Sequence, residues 1–500
     1  MTVPNAPIVP RRAGILAAVC ALAAMLLLSG CMTTNPATGE SQFTPFMSPE
    51  QEQQVGASEH PKILDQFGGP YEDPALSGYV ASIGGRVAAN SELPATNFTI
   101  TVLDTPTVNA FALPGGYVYI TRGLLALANS EAEVAGVLAH EVGHVTARHT
   151  AQRYNRAIGG NLAATAVGVL TGSNAAAQLT QLGAQGYLAS FSRDQEYEAD
   201  SLGIRYMTRA GYAPIGQAQL LQSLGNYDAL QRRLNDQKDR GNDFFATHPQ
   251  TPDRVRRAVA IANQSGAPPN APFRRDAFLR QINGMIFGDS PEEGIIRGLS
   301  FRHPVMRFSF EVPQGFRLVN SPKAVYARGP DDAVIVFDQE SDKTEVARAR
   351  DMASYLVNRW GRRINLRDVE RIEINGLPAA TGHARVNTRG GAMDARLIAI
   401  RFDENRIFRF LFMTPPKRTA ALSEDLRRTT YSFRKLSQKQ ADAIKPLRIR
   451  VVTVGSGDTR QSMARRMIVD KDPQAWFDTM NALGPNDRLR VGQKVKIISE

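Results

Sequence analysis

The chain has 500 residues, 21% charged and 43% hydrophobic, with a formal net charge of +11 and two cysteines. That length exceeds what one core usually serves, so two or three folded units are expected, and two cysteines exclude a disulfide scaffold and a cysteine-built zinc site. The basic excess suits an anionic envelope surface or wall polymer at least as well as nucleic acid; no nucleic-acid motif accompanies it, so no nucleic-acid partner is expected.

Arg11 and Arg12 precede a run from Ala13 to Leu28 that is apolar apart from Gly14 and Cys20. Such a run is shorter than the roughly 20 residues a spanning helix needs and reads as a signal peptide over 1–30. It ends in Leu28-Ser29-Gly30-Cys31, which resembles a bacterial lipobox. The resemblance implies a lipidated Cys31 as mature N-terminus, a membrane partner through that lipid, and no disulfide, since Cys20 leaves with the signal. Met32 in place of Asp favours the inner leaflet of the outer membrane. Residues 31–47 are a polar tether.

Ser48 to Gly85 reads as largely helical. Asn97 to Asp104 alternates with Phe98, Ile100 and Val102 on one face, a half-buried strand, and Tyr117 to Thr121 is a second strand after a Gly115-Gly116 turn. Ser130 with Glu133 three residues on is a capping-box signature, so a helix starts at Glu131. It carries His140-Glu141-Val142-Gly143-His144. Residues four apart share a helix face, so His140 and His144 can offer two imidazole nitrogens to one Zn2+, with Glu141 as general base. With seven histidines in the chain, a chance H-E-x-x-H is on the order of one in a hundred. The metzincin third histidine is excluded by Ala147 and Thr150. His149 reads as a solvated helix-end histidine.

The third ligand is expected downstream, in Ser192-Arg193-Asp194-Gln195-Glu196-Tyr197-Glu198-Ala199-Asp200. Glu196 and Asp200 share one helical face; Glu196 can complete a His, His, Glu site and Asp200 can accept the second ring N–H of a ligand histidine. Glu198 points elsewhere and reads as exposed.

Asn109-Ala110-Phe111 with Pro114-Gly115-Gly116, the H-E-x-x-H stretch, the Ser192 to Asp200 motif and His248-Pro249-Gln250-Thr251-Pro252-Asp253-Arg254 together resemble the HtpX/CAAX-prenyl-protease family of zinc metalloendopeptidases, in its periplasmic branch. The resemblance covers about Ser48 to Asn263. It implies a mostly helical zincin protease domain with a small sheet, one zinc ion per chain, and His248 reaching the metal either as a transition-state helper or as a fourth ligand that keeps the enzyme latent. Arg254 or Arg193 is the next choice for oxyanion or structural support. The strand Tyr117, Val118, Tyr119, Ile120 is expected along the cleft, where an extended substrate adds as a further strand. Residues 157–188, membrane-spanning in other members, are broken by small and polar residues and read as a helical hairpin.

Residues 264–300 read as a linker and helical bridge. From 301 to 440, alternation at Met306, Phe308, Phe310 and Val312 and at Phe408, Phe410 and Phe412, with helical spacing at Met352, Tyr355 and Leu356, predicts an α+β domain with a mostly antiparallel sheet. It weakly resembles the photosystem-accessory and Ran-binding fold. His303 and His383 bring no acidic partner in sequence. Residues 449–499, with Val454-Gly455-Ser456-Gly457-Asp458-Thr459, Asn481 and Leu489 to Ile497, resemble a LysM module. The resemblance implies a β-α-α-β fold and peptidoglycan as partner, although Arg460 stands where leucine is usual. The whole is an α+β multidomain chain. Two functions compete: a lipid-anchored periplasmic zinc endopeptidase acting on unfolded or misassembled envelope proteins, and a latent, chaperone-like or peptidoglycan-binding lipoprotein.

Overall fold

The computed structural model describes residues 32–44, 47–155, 190–234, 244–249, 252–388 and 390–500; the signal segment, Cys31 and the predicted hairpin at 157–188 lie outside the described residues. The described chain is a multidomain mixture of helices and sheets, and among its residues no helix is long and apolar enough to cross a membrane.

A short hairpin, β1 (Met32–Thr34) with β2 (Ser41–Phe43), leads into helices α1 (Pro49–Gln66) and α2 (Pro74–Ala88). Each helix starts on a side-chain cap. Ser48 forms a capping box with Gln51, and Asp73 accepts from the Leu76 N–H. Strands β3 (Thr99–Leu103), β4 (Ala110–Leu113) and β5 (Tyr117–Thr121) form a sheet in the order β3-β5-β4, with β5 parallel to β3 and antiparallel to β4. Their turn needs glycine. Gly115 and Gly116 both have positive φ, and a Cβ on Gly115 would lie 2.7 Å from the Gln53 Cα of α1.

Helix α3 (Arg122–Leu127) ends three residues before Ser130, which caps α4 (Glu131–Thr146) by accepting from the Glu133 N–H. The Glu133 carboxylate reaches one residue further back than a capping box would, to the Asn129 N–H at 2.9 Å. Every residue of α4 is buried, and it packs against α2, α5 (Arg193–Arg209) and α6 (Ile215–Leu234). A helix enclosed in this way is held by packing more than by its own propensity. Two short elements, α7 (Phe244–Thr247) and α8 (Pro252–Gln264), complete this helical domain, and α9 (Arg275–Ile282) follows.

The second domain holds a four-stranded sheet that includes Ser300–His303 and Phe308–Glu311, and a seven-stranded sheet that is antiparallel throughout. At the centre of the larger sheet Arg406–Thr414 lies between Val334–Gln339 and Gly391–Asp403. Phe308, Phe310, Phe337, Phe408, Phe410 and Phe433 meet in one core between the sheets and the helix Pro416–Ser432. All but Phe433, which caps the end of that helix, come from the buried side of their strands.

His303 is 3% exposed, and its Nδ1 accepts from the Met306 N–H at 3.2 Å. Burial, aided by Arg406, pushes this imidazole down to about 4. The unfolded side chain titrates near 6.5, so the folded domain binds fewer protons, and its stability is complete above pH 6.5 and lost as pH falls toward 4. We predict that the domain loses about 3 kcal/mol over that window, checked by urea unfolding of the full chain at pH 7.5 and 4.5. His303→Gln should remove most of the difference. His383, by contrast, is exposed and does meet an acidic partner, Asp368 at 2.8 Å. The pair is brought together by sheet register and not by sequence.

At the C-terminus, strand Leu447–Thr453, helices Arg460–Ala464 and Pro473–Met480, and strand Lys494–Ser499 follow in β-α-α-β order. Arg460 pairs with Asp478 and donates to the Gly484, Pro485 and Asp487 carbonyls, so it ties the loop before the last strand. The unit is not a bead on a string. Leu447 and Arg448 pair with Ile286–Phe287 of the 264–300 segment, and Ile449, Met463, Phe477, Val495 and Ile498 share one buried cluster with Val134 and Leu138 of α4.

Candidate metal centre

Helix α4 presents His140 and His144 on one face, their Nε2 atoms 3.0 Å apart. Helix α5 supplies Glu196, whose Oε1 lies 3.4 Å from His144 Nε2 and whose Oε2 lies 3.6 Å from His140 Nε2. The two helices approach this closely because Gly143 has no side chain; a Cβ there would press on the Ala199 backbone at 3.2 Å. His248, just past α7, closes the group with Nδ1 3.0 Å from Glu196 Oε1 and 3.4 Å from His140 Nε2. All four side chains are buried, and one donor atom from each lies within 4.8 Å of the others.

The group fits zinc. Ligand atoms around a tetrahedral zinc with ordinary bond lengths sit about 3.3 Å apart; the closest donor pairs here lie 3.0 to 3.6 Å apart, and the whole set falls within 4.8 Å. Nitrogen and carboxylate donors with no cysteine are a set that catalytic zinc takes. Burial keeps His144 well below its ordinary range, so its ring is neutral, the form that ligates. Around this cluster, the Glu141 oxygens and His248 Nε2 are buried without a hydrogen bond, and Glu141 Oε1 stands 3.4 Å from that nitrogen. Burial pushes the Glu141 carboxyl up, against the pull of His248 and His140. A carboxyl raised toward neutrality is matched to proton transfer.

A second layer holds the ligands. His140 Nδ1 lies 2.9 Å from Asp200 Oδ1. Arg254 donates to both Asp200 oxygens at 2.8 Å and reaches Glu196 Oε2 at 2.5 Å. With both carboxylates on its guanidinium, Arg254 is committed to holding ligands in place. Burial opposes a charge on Asp200, but Arg254 keeps its carboxyl below the ordinary range. Arg193 is the exposed first residue of α5 and pairs with no carboxylate of the cluster.

Three sequence expectations need correction. Tyr117, Val118, Tyr119 and Ile120 cannot receive a further strand, because β5 is the middle of the sheet and its backbone is paired on both sides. Among the described residues β4 is an edge strand with no partner on its outer side, and it packs on α4. The Thr121 N–H to Asn109 carbonyl bond sets the ladder, so Ala112 falls in a non-hydrogen-bonded pair and turns its N–H and C=O away from β5. His149, expected in solvent, is 1% exposed and bonds His144. The helix ends at Thr146, and Arg148 takes φ +56°, which folds His149 back under its neighbour. Glu198, expected exposed, bonds His149 on one oxygen and Asn35 on the other.

Residues 74–262 match the family described as Peptidase family M48. This segment is an M48 peptidase domain. It contains α4, α5, His248 and Arg254. The beta-barrel assembly-enhancing protease of Yersinia pestis is 31% identical over 228 residues, 43% of this chain and 45% of its own length. The mitochondrial metalloendopeptidase OMA1 of Schizosaccharomyces pombe is 29% identical over 211 residues, 41% of this chain and 59% of its own. The chain thus spans about half the length of these curated relatives. A PsbP of known structure, CyanoP from Synechocystis sp. PCC 6803, aligns over 28% of this chain and 98% of its own at 15% identity and a TM-score of 0.21, too loose a likeness to carry function across. M48 metallopeptidases use zinc, and in this M48 domain His140, His144, Glu196 and His248 are the donor set able to hold it.

Proposed function

We propose that the protein is a zinc endopeptidase of the bacterial cell envelope, lipid-anchored through Cys31 at the inner face of the outer membrane, that cleaves misfolded or misassembled envelope proteins. The observation that carries the catalytic part is the buried cluster of four donor atoms within 4.8 Å, with Glu141 beside it and free of hydrogen bonds. His140, His144 and Glu196 would hold the metal, Asp200 and Arg254 would keep two of those ligands in orientation, and zinc supplies an acidified water and an electrophile for the scissile carbonyl. Glu141 takes a proton from the attacking water and returns it to the leaving amine. An extended substrate adds to the free edge of β4 at Ala112, so main-chain bonds favour unfolded segments over a sharp sequence preference. The envelope assignment is supported by the lipobox-like Leu28 to Cys31 and by the name of the relative described as a beta-barrel assembly-enhancing protease. The LysM-like unit, by its β-α-α-β order, would add peptidoglycan as a partner, tested by co-sedimentation of the full chain with sacculi.

A second reading, a latent state, is favoured by one observation. His248 places Nδ1 among the zinc donors and Nε2 against Glu141, filling the position that a catalytic site keeps for water. β4, the strand beside the cluster, is wholly buried. His248 is therefore a closing ligand in this conformation. His248→Ala is expected to raise casein cleavage at least about tenfold, the effect of removing a competing closed state worth ~1.4 kcal/mol. Cleavage that falls in this variant, with zinc retained, would make His248 a transition-state helper and not a gate.

A further inference from the structure

We propose that His149 is a positioning residue for the metal ligand His144, and that it is itself held by the N-terminal hairpin through Glu198 and Asn35. The inference rests on the zinc reading given above. His144 Nδ1 lies 2.9 Å from His149 Nδ1, His149 Nε2 lies 3.2 Å from Glu198 Oε2, and Asn35 Nδ2 donates to Glu198 Oε1 at 3.0 Å. His144, His149 and Asn35 are each no more than 1% exposed.

The protons fit this chain in one direction. His144 turns Nε2 toward His140 and Glu196, so Nε2 is its ligating atom and its proton sits on Nδ1. That N–H meets only His149 Nδ1, which accepts. His149 then carries its proton on Nε2 and donates it to the Glu198 carboxylate. The opposite order would put a proton on the atom that must bind the metal. Asp200 serves His140 in the same manner, so each ligand histidine of α4 has its own acceptor.

The far end of the chain is fixed by geometry as well. The Asn35 Oδ1 accepts from the Ala37 and Thr38 N–H groups, which leaves its amide nitrogen aimed at Glu198. Gln42 of the same hairpin donates to the Ala147 carbonyl at the end of α4. On an unbroken helix, residues five apart do not face each other; the left-handed Arg148 makes the contact, and its cost is offset by bonds to Glu52 and the Met47 carbonyl. Phe191 stacks on the His144 ring at 3.8 Å and fixes its plane.

The test is Zn2+ affinity of the purified full chain, measured by chelator competition, beside the thermal midpoint of the metal-free protein. His149→Ala should bind zinc about 10–100-fold more weakly than wild type. His149→Gln, with an oxygen to accept and an amide to donate, should recover most of the loss. Asn35→Ala, distant from the metal, removes the donor to Glu198 together with the turn bonds to the Ala37 and Thr38 N–H groups; it should weaken binding several-fold beyond what the fall in the metal-free midpoint accounts for, and it decides the matter should His149→Ala fail to fold. Unchanged zinc affinity in His149→Ala, or in Asn35→Ala, overturns the proposal. A wild-type chain that binds no zinc overturns the metal reading instead.

Discussion

Replacing Glu141 with Gln is expected to lower cleavage of casein or of an unfolded outer-membrane protein by about 10²–10⁴-fold, while the chain keeps one zinc. The side chain is fully buried, and Gln matches it in volume, so the four donors around it need not move. What is lost is a carboxylate able to take and return a proton. The metal-free variant should also be about 1 kcal/mol more stable than wild type, because a buried carboxyl without a hydrogen bond is a standing cost that the amide reduces. Three measurements separate the outcomes: metal content, proteolysis and thermal midpoint. A Glu141→Gln chain that cuts as fast as wild type rules out the mechanism. A wild-type chain inactivated by a chelator and restored by Zn2+ supports it independently.

The parts of the site that could be read from sequence are those set by local periodicity. His140 and His144, and Glu196 and Asp200, are pairs four apart, and a helix alone brings each pair to one face. Ser130 marked the helix start for the same local reason. His149 was illegible because a left-handed residue, Arg148, breaks the periodicity that would carry it away from His144. The middle position of β5 was illegible because strand order is a long-range property: β4 is only Ala110–Leu113, and nothing in those four residues says that they take the edge. His383 met Asp368 through sheet register, again across distant sequence. In the second domain the alternating phenylalanines did announce antiparallel strands, since a half-buried strand writes its burial into every other residue. The basic excess overstates the basic surface in one respect, because Lys496 of the C-terminal unit is fully buried.

That lysine gives the second large prediction. Lys496 donates to the carbonyls of Ala126, Leu127 and Ala128 at 2.8, 3.0 and 2.6 Å, the last of α3 and the residue after it, so all three ammonium protons are used on a helix end. Asn481 fixes the strand beneath it by bonding both the Lys496 N–H and its carbonyl. Burial pushes the ammonium down and the nearby Glu133 carboxyl up, and their mutual attraction opposes both shifts. Lys496→Met keeps the stem but orphans the buried carbonyls of Ala126 and Ala128, while Leu127 keeps its bond from Asn129 Nδ2, at about 1–3 kcal/mol each, offset by relief of charge burial, for a net loss of about 2 kcal/mol. Lys471→Met, at an exposed position, should change nothing measurable. Because the capped segment leads through Asn129 and Ser130 into α4, zinc affinity should fall along with the urea midpoint in Lys496→Met. Equal midpoints for the two variants would mean that the C-terminal unit does not bear on the peptidase core. The shared cluster predicts the reverse: a chain cut before Leu447 strips Trp476 from Tyr227 and Phe287, opens the apolar cluster to water and fails to remain soluble.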